Sequence, residues 1–236
     1  PAASAAHISL QGQEVLLRRG EWSRWLTVRF RVTGPLNDVT GICRLFLKGT
    51  APFRLYVSPV NIDPRDPCLP ISTPGAYARR LASRVGLFHT QGMPEDTSAL
   101  SAGVLGDGDF RGQAQFVLEE AVRIFEHELA RHEEGLLFCY FSSLDLCSHA
   151  FWRTTDPAHP LYSPGLAREH GHFLPSLYRR MDSVIGRALE SADERTSVMA
   201  LSDHGFATFR RQFHLNSWLM DSGYASEAPG ADRGMP

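Results

Sequence analysis

Residues 198–211, VMALSDHGFATFRR, join an apolar run to a polar cluster. The run from Val198 to Leu201 is typical of a buried β-strand, and an aspartate, a histidine and a glycine follow it within a few residues. In open α/β sheets, ligands bind beyond the carboxyl ends of the strands, which is where this cluster would lie. The pattern therefore predicts that Asp203 and His204 form part of a binding site at the edge of a sheet.

A second stretch of the chain repeats this arrangement. The apolar run LLFCYFSS, residues 136–143, is predicted to be a strand, and Asp145 and His149 follow it. Side chains four residues apart lie on one side of a helical turn, so this pair can converge on one cation. Carboxylate oxygen and imidazole nitrogen suit Zn²⁺ or Mn²⁺. Either pair alone is also compatible with a helix cap or a surface pair, but the placement of both after apolar strands favours a metal site.

Helices are predicted to alternate with these strands from residue 76 onward. The predicted strands end at Ser143 and Ser202, and amphipathic patterns predict helices over residues 76–86, 116–135, 174–193 and 214–224. This alternation is typical of an α/β fold with a mainly parallel sheet flanked by helices. We therefore expect both Asp and His pairs at the same edge of one sheet.

The first third of the chain has a different pattern. Residues 21–32, 41–49 and 53–61 are rich in Val, Ile, Phe and Tyr and are bounded by turn-forming residues, which predicts antiparallel strands. The proline-rich stretch NIDPRDPCLPISTPG follows and is expected to be an ordered loop or a boundary. The predicted domains are a β-rich insert or subdomain over residues 1–75 and a partial α/β metallohydrolase core over residues 76–236.

Composition excludes several classes of protein. The net charge of −2 gives no electrostatic reason to expect stable nucleic-acid binding. No apolar run approaches the ~20 residues needed to cross a bilayer. Four sparse cysteines favour a reducing compartment, so the cytoplasm is the expected location. The start at Pro1, without an initiator methionine or a signal-peptide pattern, suggests a piece of a longer product.

The combined motifs resemble a known superfamily. SDHGF after one strand, with D-x-x-x-H after another, resembles the metal core of the alkaline phosphatase superfamily. A wider set of segments is similar to the type I phosphodiesterase and nucleotide pyrophosphatase branch of this superfamily, especially the predicted phosphohydrolase or phosphomutase proteins. These segments are YFSSLDLCSHAFWR, DPAHPLY, YRRMD and SDHGFATFRRQFHLNSWL. The likeness is strongest over residues 135–224.

The resemblance implies a phosphoester hydrolase that acts on a small phosphorylated substrate and holds two divalent metal ions, usually zinc. By motif match, Asp145 and His149 would hold one ion, and Asp203 and His204 would hold the other. Such a pair of ions would bridge the phosphoryl oxygens during an in-line displacement. Mn²⁺ is the second choice of metal.

The chain departs from the family pattern at the nucleophile. The superfamily takes a metal-binding aspartate and a Thr or Ser nucleophile from an opening strand and helix, and nothing near Pro1 resembles that unit. Ser72 and Thr73 are hydroxyl candidates, although a loop and helix-cap role is simpler. His214 is a candidate for the histidine that completes the first metal site, with capping or packing equally compatible. We therefore expect a nucleophile before Pro1, a further histidine beyond the last residue, and little activity from these 236 residues alone.

Several alternatives stay open at this point. The same fold can serve as a non-catalytic binding domain, and a phosphomutase shares the metal core. Trp152 and Arg153 are candidates for the border of the substrate site, and Arg210 and Arg211 for contacts to a phosphate. A Trp at this position is more often a packing residue, and a solvated charged turn explains Arg210 and Arg211 at least as well. Cys147 is assigned to the core because small cysteines are commonly buried.

Overall fold

The structure is a computed structural model that describes residues 4–32 and 38–227. Antiparallel strands come first and helices follow. The strands are β1 (Ala5–Leu10), β2 (Gln13–Arg18), β3 (Leu26–Arg31), β4 (Asp38–Cys43), β5 (Leu45–Thr50), β6 (Phe53–Val57) and β7 (Asn61–Ile62). The helices are α1 (Tyr77–Val85), α2 (Thr97–Ser101), α3 (Asp107–Leu129), α4 (Ser143–Phe151), α5 (Pro164–His170), α6 (Phe173–Ser191) and α7 (Leu215–Asp221), and a 3₁₀ turn over Trp152–Thr154 continues α4.

The strands form three small sheets. β1 pairs with β2, β5 pairs with β6, and β4 lies between β3 and β7, always antiparallel. The antiparallel strands predicted for the first third are therefore present. The sequence pattern did not indicate the β1–β2 hairpin, which turns at Gln11 and Gly12 with φ angles of 48° and 80°. Positive φ at both loop residues is what the commonest two-residue hairpin requires.

The prediction of a mainly parallel sheet is wrong. Every strand pair within residues 4–32 and 38–227 is antiparallel, and residues 136–142 and 196–202 are in neither a strand nor a helix. Ser143 begins α4 and does not end a strand. An apolar run shows only that a segment can be buried, whereas a strand also needs a neighbour to pair its backbone N–H and C=O groups. The described chain provides no such neighbour for either segment.

The burial of residues 136–141 explains why their sequence resembles a strand. Leu137, Cys139 and Phe141 pack against the helical core. The residues between them, Leu136, Phe138 and Tyr140, are exposed. Side chains thus alternate between core and solvent as in a strand, but the exposed set is apolar.

The helix predictions agree better with the structure. α1, α6 and α7 lie within a residue or two of their predicted starts, and Gly86, with φ of 86°, ends α1. α3 begins at Asp107, well before the predicted start at residue 116. None of the described helices is both long and apolar enough to cross a membrane.

The helices pack around one apolar core that fixes α4. Phe110 of α3, Phe151 of α4 and Phe173 of α6 meet there and are almost completely buried. Cys147 of α4 is also 0% exposed, and burial raises the pKa of its thiol. Its complete burial among the apolar side chains gives this cysteine a packing role.

A buried polar network joins the β-rich part to α3. Glu120 accepts hydrogen bonds from Arg44 Nη2 at 2.7 Å and Trp25 Nε1 at 2.9 Å, and its other oxygen lies 2.6 Å from His89 Nδ1. The Arg44 guanidinium also lies 4.4 Å from the centre of the Phe116 ring. Burial acts to raise the pKa of Glu120, but His89 and Arg44 outweigh it, so the pKa is lowered. The predicted boundary between residues 75 and 76 stays a prediction.

Candidate metal centre

α4 and the segment after α6 bring the four predicted ligands together. On α4, Asp145 Oδ1 lies 3.7 Å from His149 Nε2, one turn along the helix. His204 Nε2 lies 3.9 Å from the same Asp145 oxygen and 3.7 Å from Asp203 Oδ2. His204 therefore connects the two pairs that the resemblance assigned to different ions.

Asp145 is the best shielded of the four side chains. It is 32% exposed, whereas Asp203 is 88% exposed. Its Oδ1 atom is buried and has no hydrogen-bond partner among the described residues. Leaving a buried acceptor without a donor costs roughly 1–3 kcal/mol, and more for a charged group. An oxygen in this state, beside two imidazoles, suits a cation.

The backbone around His204 orients its ring for coordination. Nδ1 lies 3.1 Å from the carbonyl oxygen of Gly205. A carbonyl oxygen can only accept, so Nδ1 carries the ring proton. The neutral ring then has its lone pair on Nε2, the atom nearest to Asp145 and Asp203. Metal-binding histidines commonly donate their other nitrogen to a backbone carbonyl in this way.

The four donors fit a divalent ion in their chemistry, but they are not spaced to hold one as they stand. Two ligands at about 2.1 Å from one tetrahedral ion lie about 3.4 Å apart. The N···O separations of 3.7 and 3.9 Å are wider than this by a few tenths of an ångström. As the side chains stand, no group of three or more His, Cys, Asp or Glu residues in the described chain is arranged to hold a metal ion. Coordination therefore requires rotation of these side chains, three of which are exposed.

Phe206 packs among the rings of this cluster. Its ring centre lies 4.9 Å from that of His149, 5.6 Å from Trp152 and 5.8 Å from His204. One phenylalanine thus contacts a histidine from each predicted pair. The sequence shows Phe206 two residues after His204, but this spacing alone does not indicate that Phe206 packs against the histidines. Trp152 serves as a packing residue here.

Asp156 holds the loop that follows His204. Its Oδ2 accepts a hydrogen bond from the Thr208 hydroxyl and lies 3.9 Å from Arg210 Nη2, and its Oδ1 accepts the Ala158 backbone N–H at 2.8 Å. These contacts, the Thr208 hydrogen bond foremost, hold the pKa of Asp156 below its usual range. The sequence showed Asp156 only as part of the DPAHPLY motif and indicated no role for it.

Other candidates from the sequence have different partners. The Ser72 hydroxyl accepts the Ala78 backbone N–H at 3.1 Å, next to the start of α1, which is the cap-like role considered above. Arg153 forms an ion pair with Asp107 of α3. His214 occupies the N-cap position of α7 and makes no side-chain capping hydrogen bond.

Comparison with known families decides the relationship. Residues 69–233 match the family model described as type I phosphodiesterase / nucleotide pyrophosphatase, a span of more than half of the chain that includes all four predicted ligands. The chain belongs to this family. The family consists of phosphoester hydrolases that are generally metal-dependent, so the resemblance stated from the motifs is confirmed. No match is found among curated proteins or solved structures.

Proposed function

We propose that this protein is a metal-dependent phosphoester hydrolase acting on a small phosphorylated substrate, with Asp145, His149, Asp203 and His204 as metal ligands. The observation that carries the proposal is the buried Oδ1 of Asp145, which has no hydrogen-bond donor and has one histidine Nε2 from each pair within 3.9 Å. Zn²⁺ is the proposed metal and Mn²⁺ the second choice, because both accept mixed carboxylate and imidazole donors.

Different residues of the chain contribute different properties to this site. α4 keeps Asp145 and His149 one turn apart on a helix whose other side is packed in the core, which favours a fixed geometry. Asp145 and Asp203 supply the negative charge that offsets bound cations. The Gly205 carbonyl keeps the lone pair of His204 on Nε2. Bound divalent ions would supply charge stabilisation to the phosphoryl oxygens during displacement.

Metal titration and hydrolysis of a chromogenic phosphodiester, bis(p-nitrophenyl) phosphate, test this proposal together. In a form of the protein that carries the family's nucleophile, Asp203→Asn and His149→Ala are each expected to weaken Zn²⁺ binding at least tenfold and to cut metal-dependent turnover by orders of magnitude. Each change removes a donor atom that binds metal in its deprotonated form. Asp182→Asn, which alters an exposed carboxylate on α6, is the matched control and should keep wild-type values.

The outcomes separate the possible functions. Full Zn²⁺ occupancy with near-wild-type turnover in either variant would show that the altered residue is not a ligand. Metal binding without any phosphoester chemistry, in a form that carries the family's nucleophile, would favour the non-catalytic binding domain. Return of phosphate to the substrate, followed by ³¹P NMR, would identify a phosphomutase.

A further inference from the structure

The two pairs of proposed ligands stand on segments that are held very differently. Asp145 and His149 lie on α4, whose Cys147 and Phe151 are completely buried. Asp203 and His204 lie within residues 196–214, which contain no helix or strand and are mostly exposed. A shared site requires that this second segment be fixed relative to α4.

Asp156 is placed to provide that connection. It follows the 3₁₀ turn Trp152–Thr154, which continues α4 directly and includes the buried Thr154. Its carboxylate reaches Thr208 and Arg210, which lie a few residues beyond His204. The carboxylate itself is oriented, because its second oxygen accepts the Ala158 backbone N–H.

We propose that Asp156 is a positioning residue that holds Asp203 and His204 beside Asp145 and His149. Asp156 touches neither metal nor substrate in this role and acts through the 203–211 segment. The inference rests on the proposed function, because the position of the four side chains matters only if they bind metal.

The two contacts of Asp156 differ in weight. An exposed ion pair contributes little to stability, and the Asp156–Arg210 separation of 3.9 Å is at the outer limit of such a pair. The hydrogen bond from the Thr208 hydroxyl to a charged acceptor is the stronger contact. Thr208 is therefore the expected partner, and Arg210 contributes less.

The test combines zinc affinity with limited trypsin digestion of the metal-free protein. Asp156→Ala is expected to weaken Zn²⁺ binding by roughly 10- to 100-fold, the range typical for residues that orient metal ligands. It should also speed tryptic cleavage after Arg210 and Arg211, because the loop is released. Thr208→Val should act in the same direction, and the double variant should be little worse than Asp156→Ala, since both remove one contact.

Two further variants keep the test specific. Asp156→Asn retains an acceptor oxygen and should lose less affinity than Asp156→Ala. Asp193→Ala is the matched control, because Asp193 likewise accepts a threonine hydroxyl and a backbone N–H and pairs with an arginine, but does so within its own turn. Asp193→Ala should leave both zinc affinity and cleavage after Arg210 unchanged.

The failure of this inference can be told apart from failure of the proposed function. A wild-type protein that binds no Zn²⁺ would overturn the proposed function and this role together. A wild type that binds Zn²⁺, with unchanged affinity in Asp156→Ala, would overturn the positioning role alone. Equal losses in Asp156→Ala and Asp193→Ala would also overturn it, because they would indicate a general effect of removing a surface turn.

Discussion

The clusters around Glu120 and around Asp145 both combine carboxylates with histidines, but the carboxylate oxygens differ in how many hydrogen bonds they accept. Glu120 has a 4% exposed side chain, and its two oxygens have partners between 2.6 and 2.9 Å, from Arg44, Trp25 and His89. Asp145 has a buried oxygen without a hydrogen bond, and its histidine neighbours stand at 3.7 and 3.9 Å. The carboxylate of Glu120 is fully paired within the fold, whereas Asp145 offers an oxygen to a ligand.

This difference distinguishes a carboxylate that is paired within the fold from one that is available to a ligand. A buried charge is tolerated when hydrogen bonds and an opposite charge offset the loss of water, and Glu120 has both. The buried Oδ1 of Asp145 has neither within hydrogen-bond distance, although the side chain as a whole is 32% exposed. Strained or unsatisfied groups of this sort are expected at binding sites, where a ligand supplies the missing interaction.

The largest expected effect concerns the Glu120 network. Glu120→Gln should lower the free energy of unfolding by about 3–5 kcal/mol, because it leaves the Arg44 charge buried without its counter-charge. Urea denaturation monitored by tryptophan fluorescence measures this loss. Glu119→Gln is the neighbouring control, since Glu119 makes an exposed pair with Arg180, and it should cost less than about 1 kcal/mol. Equal effects of the two changes would contradict a special role for the buried network.

The second prediction concerns Asp145 with and without metal. In metal-free protein, Asp145→Asn should lower the free energy of unfolding by no more than about 1 kcal/mol, because the wild-type oxygen makes no hydrogen bond that the change could break. At a Zn²⁺ concentration 100 times the dissociation constant, the wild type should gain about 2.7 kcal/mol and the variant should not. Unfolding curves in EDTA and in excess Zn²⁺ provide the comparison. A large loss in EDTA would place Asp145 with Glu120 among the structural charges.

The smallest expected effect concerns Glu95, which lies beneath the start of α4. One of its oxygens accepts the Ser143 hydroxyl, the other is buried without a partner, and burial raises its pKa. Glu95 therefore keeps its proton to higher pH in the folded state than in the unfolded state. As the pH rises above the pKa of the unfolded state, this difference lowers the free energy of unfolding. Glu95→Gln removes this titration and should gain stability relative to wild type as the pH rises above about 4. A stability difference that is independent of pH would refute the assignment.

The sequence was sufficient for features that depend on nearby residues. α1 and α6 follow from local amphipathic patterns, and the four-residue spacing of Asp145 and His149 places both on one side of α4 as expected. The motifs also identified the family, because they are short and contiguous.

The tertiary structure alone determined the contacts between distant segments. Strand pairing is non-local, so the apolar runs at residues 136–141 and 196–202 could not reveal that the described chain gives them no partner. The carboxylate of Glu120 meets Arg44, and that of Asp156 meets Thr208, across 76 and 52 residues of chain. Propensity and periodicity act over a few turns of backbone, whereas these contacts are chosen by how the helices pack, which no short stretch of sequence specifies.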